Sequence, residues 1–153
     1  MTMNQLIPFD QNVRLAIYHH LIQFGMVPSI QEIADVLQET KDRMTDSFRR
    51  LAEYRAIVVQ PEDQEKIVMV MPFSAIPTPF DVKTEQGHWW ANCIWDALGI
   101  AAMLNIETTI HTRSGAIGEP LTLTVKDDSL SDWDLSIHFA IPAAQWWQDI
   151  VFT

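Results

Sequence analysis

Residues 89–104 read WWANCIWDALGIAAML, a run so apolar that only Asn92 and Asp96 interrupt it. It is too short for the ~20 residues of a membrane-spanning helix. It must therefore be buried inside the protein, and the reading it predicts is a core helix. The rest of the chain has to supply the walls around it. At 153 residues and 48% hydrophobic, the sequence can do so as one domain or as two small lobes packed together. The amino-terminal MTMNQLIPFDQNVR lacks the basic start and continuous apolar centre of a secretion signal. Cys93 is the only cysteine, so no disulfide can form within the chain. A lone free thiol fits a reducing compartment, and the expectation is a soluble, cytoplasmic protein with no membrane contact.

Upstream of this run the pattern is helical. Residues 12–24 carry Val13, Ile17, Leu21 and Phe24 at the spacing of one helix face, and Gly25 supplies a stop. Ser29 and Glu32 form an S-x-x-E capping box that opens a second helix running to Leu37. A third helix over 41–54 places Met44, Phe48 and Leu51 on one face. Two β-rich runs follow, 56–60 and 66–71, separated by the polar turn PEDQE. Three helices and a hairpin in that order predict a winged-helix-like lobe over residues 1–71.

A winged helix raises the question of nucleic acid. The third helix holds Lys41, Arg43, Arg49 and Arg50, with Arg55 just beyond, but Asp42, Asp46 and Glu53 nearly cancel them. The formal net charge of the chain is −10. Residues 1–71 carry seven Lys/Arg against ten Asp/Glu, and residues 72–153 carry three against ten. Neither part has the basic surface that phosphate binding requires. The lobe is read as structural, its charges forming a solvated face with local ion pairs, and nucleic acid is not an expected partner.

Pro72, Pro77 and Pro79 punctuate MPFSAIPTPFDV, so residues 72–87 are expected to be a linker or an extended cover segment. Phe73, Ile76 and Phe80 within it predict that it packs on the body. Residues 88–153 form the second lobe, with the expected helix over 89–104 followed by strand-like runs at 106–112, 121–126, 135–140 and 149–152. SGAIGEP and KDDSLSD supply the turns, and PAAQWWQD predicts a short helical turn. The fold class is thus α+β: a winged-helix-like helical lobe, then a helix packed on a small, mostly antiparallel sheet.

The chemistry concentrates in HWWANCIWDALGIAAML. Cys93 and Asp96 are three residues apart, so on a helix they share a face and can meet one ligand. Apolar surroundings keep a carboxyl protonated to higher pH, which suits a proton donor. A helix start favours thiolate at Cys93, while apolar burial opposes it. Spacing alone leaves two readings open: a buried inert cysteine, or a functional pair whose buried carboxyl has a chemical purpose.

The segment W-A-N-C-I-W-D-A-L resembles the reactive helix of the organomercurial (alkylmercury) lyases, which place C-x-x-D after an aromatic residue in an alanine- and leucine-rich helix. Downstream, H-T-R-S-G-A-I-G-E-P-L-T-L-T-V is similar to that family's strand, small-residue turn and proline-led strand. Upstream, I-Q-E-I-A-D-V-L is similar to part of its helical lobe. The resemblance implies protonolysis of carbon–mercury bonds. Cys93 binds the mercury of an organomercurial, Asp96 gives a proton to the departing carbon, and Hg(II) stays on Cys93 and Asp96 as substrate metal. It implies no cofactor, but a small-molecule thiol as co-reactant that removes the product.

The family's second cysteine, expected from a later strand, has no counterpart here, and Asn92 stands where an aromatic residue is common. The chain ends in the strand-like run near where that cysteine would fall, and a shortened form is the expectation. The missing thiol also keeps a rival open, a module that captures mercury or another thiophilic ligand without cleaving it. A winged-helix transcription regulator is the third reading. His19 and His20 are adjacent on one helix, while His88, His111 and His138 are scattered, the last two on expected strands, so no zinc site is expected. Ser114, Gly115 and Gly118 lie in a loop without a phosphate-cradling motif.

Overall fold

Pro8 opens helix α1 (Pro8–Phe24), because its fixed φ suits a first helical turn and its missing N–H costs nothing there. The helix therefore starts before the expected Asn12. In the computed structural model, which describes residues 6–131 and 135–150, α2 (Ile30–Leu37) and α3 (Lys41–Glu53) follow. Gly25 ends α1 at a left-handed φ of 73°, its N–H reaching Leu21 O at 2.9 Å. The capping box forms at α2, with Glu32 Oε2 accepting the Ser29 N–H at 2.7 Å and Ser29 Oγ accepting the Glu32 N–H at 3.3 Å. Val13, Ile17, Leu21, Met44, Phe48 and Leu51 are buried as their spacing predicts, whereas Phe24 turns outward and is 56% exposed.

A buried ion pair ties α1 to α3. Asp10 has no exposed surface and accepts hydrogen bonds from Ser47 Oγ at 2.6 Å and from Arg50 Nε and Nη2 at 2.8 and 2.7 Å. Burial disfavours its charged form, but the bonds from Arg50 and Ser47 outweigh that and hold the carboxyl below its ordinary range. The other cations of this region are also engaged. Lys41 pairs with Glu65 at 2.7 Å, Arg43 with Glu39, and Arg49 with Asp46 at 2.8 Å. Arg55 lies over the Trp147 ring, 4.9 Å from its centroid.

The helices lead into a hairpin of β1 (Val58–Gln60) and β2 (Asp63–Val70). Gln60 pairs with Asp63, so only Pro61 and Glu62 make the turn, and the rest of PEDQE starts the second strand at its solvent-exposed end. β3 (Phe73–Ser74) and β4 (Asp81–Lys83) come from the proline-rich segment, followed by β5 (His88–Ala91). Beyond helix α4 (Ile94–Leu104) lie β6 (Thr108–Arg113), β7 (Pro120–Lys126) and β8 (Ser129–Leu130). Asp127 and Asp128, at φ 49° and 56°, make the tight β7–β8 turn. The eight strands of the described residues join one antiparallel sheet in the order β1-β2-β3-β5-β4-β6-β7-β8. The sheet runs across residue 71, and one core cluster takes in both Val13 of α1 and Leu123 of β7. The molecule is α+β. Among the described residues no helix is long and apolar enough to cross a membrane.

Two expectations are corrected. The run 89–104 is not one helix: its first residues belong to β5, and α4 begins only after Cys93. A short apolar run fits a buried strand as well as a helix, and here strand alternation sends Trp89 into the core, 2% exposed, with Trp90 on the other face. Trp89 Nε1 donates to Leu21 O at 3.0 Å, so the carbonyl that closes α1 also anchors β5. Residues 135–140 form no strand, and Leu135 and Ile137 are 51% and 39% exposed. Alternation makes a strand only where a partner strand accepts it. Phe139 instead packs on Trp146, ring centroids 5.0 Å apart, in a 3-10 helix (Ala143–Gln148) where the helical turn was expected. Of the run 149–152, Asp149 and Ile150 lie outside any strand, and the remainder falls outside the described residues.

Asp10→Ala strands the Arg50 guanidinium and the Ser47 hydroxyl at the α1–α3 contact. Urea unfolding is expected to register a loss of about 3 kcal/mol, the low end for a broken buried pair because Arg50 can regain water. The native carboxyl sits below its unfolded pKa, so the parent's advantage over Asp10→Ala is complete above pH ~4 and fades on acidification through the native value.

Candidate functional site

The chain turns from β5 into α4 at Asn92 and Cys93. Cys93 has an extended backbone, φ −149° and ψ 178°, and is the N-cap of α4. Its Sγ accepts the Asp96 N–H at 3.4 Å, where a serine or threonine oxygen usually sits. Sulfur is a weak acceptor, so this cap is poorer than the one Ser29 gives α2. The two residues do not share a face of the helix body, as their spacing predicts. One precedes the first turn and the other is its third residue, yet capping geometry folds the cap side chain over that residue. The structure thus brings Cys93 and Asp96 together by a different route.

Asn92 holds the carboxyl in place. Its Nδ2 donates to Asp96 Oδ2 at 3.0 Å and to Pro72 O at 3.3 Å. Two acceptors on one side set the amide's orientation and leave its Oδ1 buried without a hydrogen-bond partner among the described residues. Burial pushes the Asp96 carboxyl above its ordinary range, and the bonds from Asn92 and Cys93 offset only part of that. Burial also pushes the Cys93 thiol up. The Asp96 carboxylate adds to the rise, while the N–H groups of Asp96 and Trp95 pull against it. Desolvation therefore overrides the thiolate character that a helix start confers. Both groups are thus harder to ionise than free side chains.

Cys93, Asp96 and Asn92 line a cavity of about 350 Å³, a volume suited to a small ligand. Met69 and Met71 border it at the end of β2, and Thr78 and Phe80 border it from the proline-rich segment. Thr78 Oγ1 donates to Ala91 O at 2.5 Å, pinning that segment against β5. Phe139 and Trp146 also line the cavity. Of the nearby tryptophans, Trp95 and Trp146 line the cavity, Trp95 being 61% exposed, whereas Trp89 lies in the core.

In the sequence Asn92 stands out only by interrupting an apolar run and departing from a pattern, and Met69, Met71 and Thr78 carry no signal. Their meeting depends on β2, β3 and β5 lying side by side, which no linear spacing encodes. The histidines stay apart. His88 Nε2 lies 2.6 Å from Asp81 Oδ1, and His111 Nδ1 lies 3.2 Å from Thr122 Oγ1. His138 is exposed and, contrary to expectation, not on a strand. Among the described residues no three His, Cys, Asp or Glu side chains gather as they would around a metal ion.

A family model described as alkylmercury lyase, MerB, matches residues 73–153. Among solved structures, the crystal structure of the mercury-bound form of MerB2 is similar, with a TM-score of 0.68 and 22% identity. The match covers 83% of this chain and 60% of that one, so the chain accounts for somewhat under two thirds of that protein's length. At this identity the likeness is one of fold. No curated protein matches the sequence.

Two substitutions test the electrostatics. The native Asp96 pKa lies above its unfolded value, so the folded state binds more protons between the two, and stability falls as pH rises through that window. Asp96→Asn is expected to be more stable than the parent at neutral pH, with the gap closing below pH ~4 in urea titrations. Cys93→Ser improves the cap and is expected to match the parent or gain up to about 1 kcal/mol. A loss of stability would contradict the capping role.

Proposed function

The chain belongs to the alkylmercury lyase family, and on that premise we propose that it cleaves carbon–mercury bonds by protonolysis, with Cys93 binding the metal and Asp96 delivering the proton. The observation that carries this reading is the placement of a thiol and a carboxyl side by side in the wall of a largely apolar cavity. Mercury is a soft metal and takes thiolate in preference to oxygen or nitrogen ligands. As the Cys93 sulfur bonds to it, the thiol proton passes to the Asp96 carboxylate beside it. Asp96 then gives that proton to the carbon, and the electron pair of the carbon–mercury bond becomes the new carbon–hydrogen bond. An organomercurial R–Hg–X and the thiol thus become R–H and Cys93 S–Hg–X. A raised carboxyl pKa suits this relay, because burial makes Asp96 a ready acceptor that releases its proton only to a strong base. Asn92 keeps the carboxyl aimed, and a small-molecule thiol, abundant in a reducing cytoplasm, removes the metal.

The remaining parts are read as support. Residues 1–71 form a winged-helix-like scaffold, and the pairing of Lys41, Arg43, Arg49 and Arg50 with carboxylates favours this over contact with nucleic acid. Residues 72–87 serve as a cover, since Thr78 and Phe80 face the cavity, and residues 88–153 form the reactive lobe. One observation favours a second reading: with Cys93 the only cysteine, the protein captures organomercury without cleaving it.

Benzene released from phenylmercury with excess thiol, measured in the headspace, separates these readings. The parent is expected to turn over, with Cys93→Ser and Asp96→Asn both reduced to the uncatalysed background. Stoichiometric phenylmercury held by Cys93 without benzene would establish capture. Neither binding nor release would reduce the family relationship to ancestry.

A further inference from the structure

A single thiolate leaves mercury short of soft donors. Cys93 is the chain's only cysteine, and among the described residues no third His, Cys, Asp or Glu joins it and Asp96. Two more sulfur-bearing side chains nonetheless border the same cavity, Met69 and Met71. We propose that the thioether sulfurs of Met69 and Met71 act as soft donors to mercury bound at Cys93, taking the part of a second thiolate. This rests on the reading of Cys93 as the mercury ligand, though not on cleavage taking place.

Placement, anchoring and chemistry support it. Met69 is only 7% exposed, yet it stands outside the core cluster that takes in its neighbour Val70. Alternation along a strand turns Val70 one way and Met69 the other, toward the cavity. The backbone beneath the pair is held: Met69 is in register with Val58 and Ser74, and Met71 O accepts the Tyr18 hydroxyl at 2.6 Å. Each side chain keeps three rotatable bonds with which to bring its sulfur to a metal. A thioether is soft enough to bind mercury. It is also neutral, so it adds no second buried anion beside a carboxylate that is already costly to ionise. Coordination is dative: each sulfur shares a lone pair with Hg(II), no bond to sulfur breaks, and nothing is oxidised. The bound metal then rests on the Cys93 thiolate and the thioethers.

Methionine also fills gaps in apolar walls with no ligand role, so the test must remove sulfur while keeping volume. The full chain labelled with ¹³C at its methionine methyls receives one equivalent of mercuric chloride. Among its seven methionines, the Met69 and Met71 methyl signals are expected to shift, and to stay in place when Cys93→Ser is treated likewise. A Met69→Leu/Met71→Leu double variant is expected to hold Hg(II) about tenfold more weakly against a competing dithiol, the scale on which lost support at a metal site acts. Met26→Leu, at a position 65% exposed, is expected to match the parent. Support requires both the methyl shifts and the weaker retention, and the absence of either overturns the thioether donors. If mercury binds Cys93 but either readout fails, the thiol reading stands alone. If Hg(II) does not attach to Cys93, as read by intact mass, both fall.

Discussion

The first turn of α4 has N–H groups that no helical carbonyl can reach, and the chain meets one of them with the sulfur of Cys93. That choice shapes the site. A cap residue must leave the helix in extended conformation and fold its side chain back over the third helical residue, and here that residue is Asp96. Capping geometry alone therefore presses a thiol against a carboxyl. The strand before the helix adds Asn92, whose amide spans Pro72 O and Asp96 Oδ2 and ties the pair to the start of the proline-rich segment. A hydroxyl at position 93 would cap better, so the sulfur is best understood as present for its chemistry.

Such a site is costly to fold. Both titratable groups are pushed away from their charged forms by burial, and one amide oxygen has no partner among the described residues. The scaffold offsets this with continuity. One eight-stranded sheet carries the hairpin of the helical lobe into the strands under α4, and Trp89 is bonded to the carbonyl that closes α1. Asp10 and Arg50 lock α1 to α3 from the other side. A strained or desolvated site on a rigid support is the usual arrangement where function needs groups that stability would not select.

Much of the scaffold was legible in the sequence. The Ser29–Glu32 box, the face of α3, the face of α1 short of Phe24, the β6–β7 hairpin and the turn at Trp146 follow local rules of capping, spacing and turn chemistry, and they stand as read. What failed depended on tertiary partners. An apolar run holding Trp89 and Trp90 fits helix or strand alike until a neighbouring strand claims it, as β4 does by pairing with β5. Residues 135–140 alternate like a strand but pair with no other segment among the described residues. For the site, C-x-x-D pointed to two side chains that do meet at one cavity, while misplacing Cys93 inside the helix. The convergence of the side chains at positions 69, 71, 78 and 92 was invisible, because they meet only once the sheet has set their order.

If Cys93 and Asp96 act together on one organomercurial, a single turnover without added thiol reveals it. Protein mixed with one equivalent of phenylmercury would be followed by intact mass. The mass first expected is that of the phenylmercury adduct on Cys93, giving way to protein that keeps the mercury and has lost the phenyl ring. A phenylmercury adduct that persists unchanged would contradict protonolysis by this pair, and mercury retained equally by Cys93→Ser would place the chemistry elsewhere.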